Sequence, residues 1–416
     1  MADRVTVIGW DGSPLTQAAR AALSAATLVA GAAHHLALPE VPERAERIRL
    51  GSVALAARRI AAHRGTAVVL GDGDPGFFGV VRALRDPEFG LEVEVVPAVS
   101  SVASAFARAG MPWDDAQVVV AHERDLRRAV NVCRAHSKVA VLTSPGAGPV
   151  ELALLLDEVH RTFVICEELG TEREQVSVLT SDKVVDHVWR DPNVVIVVGG
   201  ATGEGPQGGG WLGGREAGPS DATRGWALPL STYRGSLEPP RAELSGQFRA
   251  AQLARLGPRV GDLLWDIGCG QGAFAVEAAR FGAAVIAVDQ RANNCARTEE
   301  SARRFGVLLQ TVTGEAPQVL ERLSEPDVVR VGGGGVPAVA AVAARRPERI
   351  VTHAVTRDQA ERIGQTLVDA GYAVECELLQ SVALDTSRPA GAWTERERAV
   401  AFLVSGERTR TRADLV

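Results

Sequence analysis

Twice in this chain an apolar run ends in a glycine-rich turn, a punctuation that points to an α/β fold. Residues 263–272 read Leu-Leu-Trp-Asp-Ile-Gly-Cys-Gly-Gln-Gly, and residues 68–78 read Val-Val-Leu-Gly-Asp-Gly-Asp-Pro-Gly-Phe-Phe. In the first, a strand carrying Asp266 ends in a Gly268-x-Gly270-x-Gly272 turn, and a helix is expected from Ala273. Glycines let backbone approach a ligand closely, and a helix N-terminus favours a carboxylate or phosphate. The next expected strand ends in Asp289, an acid placed to hold a ribose diol.

A dinucleotide fingerprint would space its glycines G-x-G-x-x-G, the last one permitting close packing beneath a pyrophosphate. The tighter spacing here, with Asp266 ahead of it, suits an adenosine ligand that lacks pyrophosphate and ends in an amino acid. S-adenosyl-L-methionine has that form, and its sulfonium is compatible with nearby acids. Gly314-Glu315, after the third strand, puts an acid where an adenine amino group would lie. The bland alternative is a set of tight strand–helix turns with no ligand.

The 416 residues suit two or three domains, and 46% hydrophobic with 23% charged residues describes an ordinary globular chain. Five scattered cysteines, never spaced as CxxC, predict reduced thiols in a cytoplasm and no zinc site. No apolar stretch is long enough to span a bilayer, and the N-terminus lacks a signal-peptide layout. A net charge of −6 gives no electrostatic reason to expect nucleic acid. All but two of the 45 basic residues are arginine, spread along the whole chain. That spread reads as compositional bias more readily than as clustered recognition of carboxylates.

Strand signals at 4–8, 67–70 and 91–96 alternate with helix signals at 15–24, 51–63 and 101–109. After Pro112 a second series places strands at 117–121, 138–142, 162–167 and 193–198, with a helix at 149–157. The expected organisation is a bilobal module over 1–200, with lobes of about 1–111 and 112–200, then a glycine-rich linker over 201–235. Residues 236–416 form the last domain. Its strands are expected at 262–267, 283–289, 308–313, 327–331, 349–354, 374–384 and 399–404. Helices are expected at 273–280, 292–304, 316–323, 336–344 and 358–370. The pattern predicts a Rossmann-like, seven-stranded doubly wound sheet closed by a hairpin, with its ligand beyond the carboxyl ends of the first strands.

Residues 257–406 resemble the CbiT-type methyltransferases of corrin biosynthesis. The resemblance rests on 261–272, on Gly314-Glu315-Ala316-Pro317, and on 326–335, Pro-Asp-Val-Val-Arg-Val-Gly-Gly-Gly-Gly. Residues 4–200 resemble the tetrapyrrole methylases, most closely the CbiE branch. Here the motifs are 68–79, the turn Val-Val-Pro-Ala-Val-Ser-Ser-Val at 95–102, Met111-Pro112-Trp113-Asp114-Asp115 and Glu167-Glu168-Leu169-Gly170-Thr171. The resemblance implies a bilobal tetrapyrrole-methylase module followed by a class I methyltransferase domain, each with its own S-adenosyl-L-methionine site.

In the first module it implies that Gly9, Gly12, Asp72, Gly73, Asp74 and Phe77 line the cofactor from one lobe. Ser100 and Ser101 would contact it, and Leu142 and Gly170 would close it from the second lobe. The usual Gly-x-Gly-Pro is here Gly9-Trp10-Asp11-Gly12, so Trp10 and Asp11 alter the rim. In the second module the implied cofactor residues are Asp266, Gly268, Cys269, Gly270, Gln271, Gly272, Asp289, Gly314 and Glu315. Substrate contacts are expected from His122 and Arg124, and from Ser245, near where the family has a Thr-Lys pair. Arg330 is expected either to anchor a carboxylate or to pair with Asp327. Gly332 and Gly333 would leave bare backbone for a flat macrocycle.

The implied reaction is methylation of a precorrin-6 intermediate at C5 and C15 with loss of the ring-C acetate carboxyl. A homo-oligomer with a tetrapyrrole substrate and no metal is expected, and no catalytic residue is assigned. A cobalt-containing substrate, an NAD-dependent oxidoreductase and an RNA methyltransferase stay open. The acidic balance and the lack of an aromatic-basic surface disfavour the last.

Overall fold

The computed structural model describes residues 4–156, 159–199, 225–234, 246–386 and 393–409. The chain divides into two compact units: 1–114 with 118–123 and 140–198, and 115–117 with 124–139 and 199–416.

The first unit opens with a parallel sheet of β1 (Arg4–Trp10), β2 (Leu28–Gly31), β3 (Glu46–Arg49), β4 (Ala67–Asp72) and β5 (Glu92–Val96), ordered 3-2-4-1-5. Its central strands are apolar on both faces, as a sheet covered on both sides requires: Val5, Val7, Val68 and Val69 are all fully buried. The register pairs Gly9 with Gly71 and Trp10 with Asp72, which brings two glycine-rich turns to one carboxyl end. Helix Ser101–Ala109 starts at Ser100, whose hydroxyl accepts the Ala103 N–H. Two strands here have no counterpart in the sequence expectations. Leu-Val-Ala-Gly in β2 is too short to show a period, and Glu-Arg-Ile-Arg in β3 reads as polar because it is a charged edge strand.

A second sheet comprises β6 (Gln117–Val120), β7 (Lys138–Leu142), β8 (Thr162–Glu167), β9 (Gln175–Thr180) and β10 (Asn193–Val198), ordered 6-7-10-8-9. Strands β10, β8 and β9 run antiparallel, and the edge strand β9 was also not expected.

The second unit carries β11 (Leu263–Ile267), β12 (Ala284–Asp289), β13 (Gln310–Thr313), β14 (Val328–Val331), β15 (Arg349–Ala354), β16 (Tyr372–Asp385) and β17 (Thr394–Arg408). Their order is 13-12-11-14-15-17-16, parallel up to β15 and closed by the β16–β17 hairpin, as the strand pattern predicts. Strand alternation sends Leu263, Trp265 and Ile267 into one core layer, while Leu264 joins Phe274 and Ala278 in the other. Asp266 shares the second face and is completely buried. The helix expected at 316–323 is instead a short 3₁₀ turn, Gln318–Arg322, entered from Pro317.

Of the 201–235 segment, residues 225–234 are described, and they pack on the second unit. Glu277, fully buried, takes a hydrogen bond from the Tyr233 hydroxyl and an ion pair with Arg249. Trp226 stacks on Phe281 with ring centroids 4.1 Å apart. The rest of that glycine-rich stretch lies outside the described residues, as does Ser245. Among the described residues no helix is long and apolar enough to cross a membrane.

Candidate functional site

The turn after β4 opens into a cavity of about 470 Å³ in the first unit. Asp72, Gly73, Asp74 and Phe77 line it from that turn, Ser101 from the following helix, and Leu142 from the end of β7. Trp10 and Asp11 also line it. Asp11 is fixed there because its carboxylate accepts the N–H groups of Ser13 and Val99, at 3.0 and 3.1 Å. Burial opposes its ionisation, but those N–H donors hold its carboxyl below the ordinary range.

Gly9, Gly12, Ser100 and Gly170 do not line this cavity; they build the backbone behind it. A Cβ on Gly9 would lie 2.2 Å from the Gly73 carbonyl oxygen. Gly12 has φ +87°, and a Cβ there would lie 1.9 Å from the Gly170 carbonyl oxygen. A side chain must therefore break both the dihedral and the contact. Gly12→Ala is expected to lower the stability of the first unit by about 2–4 kcal/mol, read by denaturant unfolding; a change under about 0.5 kcal/mol would contradict this packing. His122 and Arg124 are exposed and lie outside the cavity, so the structure does not join them to it.

Two residues that the sequence reading passed over stand at the cavity. His34 Nε2 lies 2.8 Å and His35 Nε2 3.0 Å from Asp72 Oδ1. His34 lines the cavity beside Trp10, while His35 is buried behind it. Burial would raise the Asp72 carboxyl, but the hydrogen bonds from both imidazoles override it and keep the acid ionised. Cys166 lines the same cavity, and burial pushes its thiol up to about 11, so it stays protonated at neutral pH. It is no thiolate nucleophile.

The second unit holds a cavity of about 370 Å³ at the carboxyl ends of β11, β12 and β14. Gly268, Asp289, Gly314, Glu315, Gly332 and Gly333 line it. Gly268 has φ +72°, and a Cβ on it would meet the Gly333 nitrogen at 2.8 Å, so the two strand ends touch through backbone alone. Asp289 is buried, and its carboxylate accepts the N–H groups of Gly270 and Arg291 at 3.0 and 2.9 Å. Cys269, Gly270, Gln271 and Gly272 shape the turn without lining the cavity. Burial pushes the Cys269 thiol up, and its Sγ lies 3.5 Å from the Thr298 hydroxyl.

Arg330 corrects the expected choice of partners. Its Nη1 donates to Asp266 Oδ1 at 2.8 Å and to the Gly268 carbonyl at 3.2 Å, and its guanidinium lies over the Phe274 ring. Asp266 and Arg330 are register partners on β11 and β14, which makes them neighbours on one sheet face. Asp327 instead accepts the Leu263 N–H at 2.7 Å. The pair also explains Gly332: a Cβ there would fall 2.4 Å from the Arg330 guanidinium carbon. Burial, with the Arg330 charge added, pushes the His353 imidazole down to about 4, which keeps it neutral.

Residues 10–185 match the model of the tetrapyrrole (corrin/porphyrin) methylases, and residues 245–403 match that of the precorrin methyltransferase domain. A precorrin-6Y C(5,15)-methyltransferase (decarboxylating) of Sinorhizobium sp is 32% identical over 366 residues, covering 84% of each chain. One of the same name from Mycobacterium tuberculosis is 29% identical over 346 residues, 79% of this chain and 80% of that one. The cobalt-precorrin-7 C(5)-methyltransferase of Salmonella typhimurium is 35% identical over 171 residues, 39% of this chain and 82% of its own. With a glycine-turn cavity in each of its two units and likeness along most of its length, this chain belongs to the precorrin-6Y C(5,15)-methyltransferase (decarboxylating) family.

Proposed function

We infer that the region 10–185 methylates C5 of a precorrin macrocycle, and that the region 245–403 methylates C15 and releases the ring-C acetate carboxyl as carbon dioxide. The observation that carries this reading is the presence, in one chain, of two methyltransferase matches, each supplying the glycine turn of its own cavity. Family membership makes S-adenosyl-L-methionine the methyl donor; when bound, it supplies an electrophilic methyl on a sulfonium. We propose two donor sites, one per cavity. The residues suit such a ligand: both cavities are of small-molecule size, floored by glycine backbone, and edged by carboxylates that favour a cation.

In the second cavity Asp289 would hold the ribose and Glu315 would face the adenine. In the first, Asp74 and Ser101 would hold the donor, and Phe77 with Phe78, whose rings meet at 4.9 Å, would shield it from water. A reduced tetrapyrrole's meso carbon is enamine-like and is itself the nucleophile. The protein is then asked chiefly for alignment and exclusion of water. The conjugated ring can serve as the electron sink for decarboxylation. We place the enzyme in the cytoplasm, where scattered cysteines without CxxC spacing stay as reduced thiols.

A second reading, a cobalt-containing ring, is favoured by the relatives named for cobalt-precorrin-7 and cobalt-precorrin-6B. Incubation with metal-free precorrin-6 and S-adenosyl-L-methionine should give a product bearing two new methyls and lacking one carbon dioxide by mass spectrometry. An unmethylated product from the metal-free ring, with turnover of the cobalt ring, would favour the second reading. Asp74→Ala is expected to impair the C5 step alone.

A further inference from the structure

The trio His34, His35 and Asp72 brings three titratable side chains to one edge of the first cavity, and the donor contacts proposed above leave it without a task. Its hydrogen bonds assign the protons. The Ala32 N–H donates to His35 Nδ1 at 3.2 Å, so that nitrogen is an acceptor and the proton of neutral His35 sits on Nε2, facing Asp72. The same assignment argues against a metal ion. A metal taken at Nε2 would require the proton on Nδ1, where a backbone donor already points. His34 Nε2 donates to the same Asp72 oxygen at 2.8 Å. The two Nε2 atoms, 3.1 Å apart, thus share one acceptor. His34 Nδ1 has no hydrogen-bond partner among the described residues, and His34 lines the cavity beside Asp72.

We propose that His34 is the general base of the C5 methylation, with Asp72 and His35 as the positioning residues that fix its tautomer. The proposal rests on the C5 reading given above. As the meso carbon attacks, the C5–methyl bond forms and the methyl–sulfur bond breaks, its electron pair staying on sulfur. C5 then carries both a methyl and its original hydrogen. The C5–H bond must break, its pair returning to the conjugated ring and its proton passing to His34 Nδ1. The resulting imidazolium is held by Asp72 across Nε2, the arrangement by which a carboxylate makes a histidine a stronger base. Hydrogen bonding to Asp72 outweighs burial and raises the His34 imidazole above its ordinary value. The groups facing His34 are Asp72 from β4 and His35 from its own helix; Asp11, Asp74, Glu168, Arg173 and Asp191 line the same cavity.

The test compares wild type, His34→Asn and Asp72→Asn. His34→Asn should lower kcat for C5 methylation by about 100-fold with KM nearly unchanged. It should also enlarge the isotope effect from C5-deuterated substrate and remove the acid limb of the pH profile. In the free protein, NMR titration should show the His34 pKa falling in Asp72→Asn. Calorimetry with S-adenosylhomocysteine should give the same affinity for wild type and His34→Asn. A loss in His34→Asn below about threefold, or a KM effect with no change in isotope effect or pH profile, would overturn the proposal. So would stoichiometric zinc uptake by wild type that His34→Asn abolishes. Wild-type protein that binds S-adenosylhomocysteine in its first unit but never methylates C5 would instead sink the functional reading on which the proposal rests.

Discussion

Asp289→Ala should abolish C15 methylation and the accompanying loss of carbon dioxide while C5 methylation persists. The carboxylate has a structural task beside the binding role proposed for it. It accepts two backbone N–H groups, from Gly270 and Arg291, and it stands on the wall of the second cavity. Truncation leaves those N–H groups without their acceptor and releases the turn that shapes the cavity. It also removes the group proposed to hold the ribose. A displacement of about 1 Å at a methyl-transfer site is enough to cost roughly 100-fold, so a loss of at least that size is expected. Mass spectrometry should find a product with one new methyl and an intact acetate carboxyl. A doubly methylated, decarboxylated product formed at the wild-type rate would remove Asp289 from the site.

Arg330→Met should cost the second unit about 3–5 kcal/mol, the usual penalty for leaving a buried charge without its partner. Asp266 has no exposed surface, and its Oδ2 has no hydrogen-bond partner among the described residues. The pH dependence has a definite sign. Burial holds the Asp266 carboxyl above its ordinary value even though Arg330 pulls it down. A raised folded-state value means the favourable contribution is present at low pH and is lost as pH rises through that value. Removing Arg330 raises the value further, so the variant should be most destabilised at pH 8 and partly relieved at pH 5. Denaturant unfolding at the two pH values checks this. Adding Asp266→Leu should recover most of the lost stability, because an apolar pair of similar volume carries no charge to desolvate. A pH-independent loss would show that Arg330 acts by packing on Phe274 rather than by charge.

How far the site could be read beforehand follows from which contacts are local. Gly268, Asp289 and Glu315 lie at the ends of consecutive strands in a parallel sheet, so strand periodicity alone brings them to one edge. The same holds for Asp72 to Phe77, which form a single turn. Arg330 was different. Asp327 is its nearest acid in sequence, but residues three apart on an extended strand point to opposite faces. The actual partner is fixed by the β11–β14 register, which no local pattern encodes. His34 and His35 escaped notice because the strand before them is only four residues long. Only its pairing with β4 brings them to Asp72.

Sequence alone determined that this protein has parallel sheets with glycine turns at their carboxyl ends, because side-chain periodicity and backbone permissiveness are properties of short segments. Tertiary structure decided which glycines face a cavity and which press backbone against backbone, as Gly12 does on Gly170. It also decided which buried acid meets which base. Both depend on registers between strands far apart in the chain, set by the packing of whole core layers.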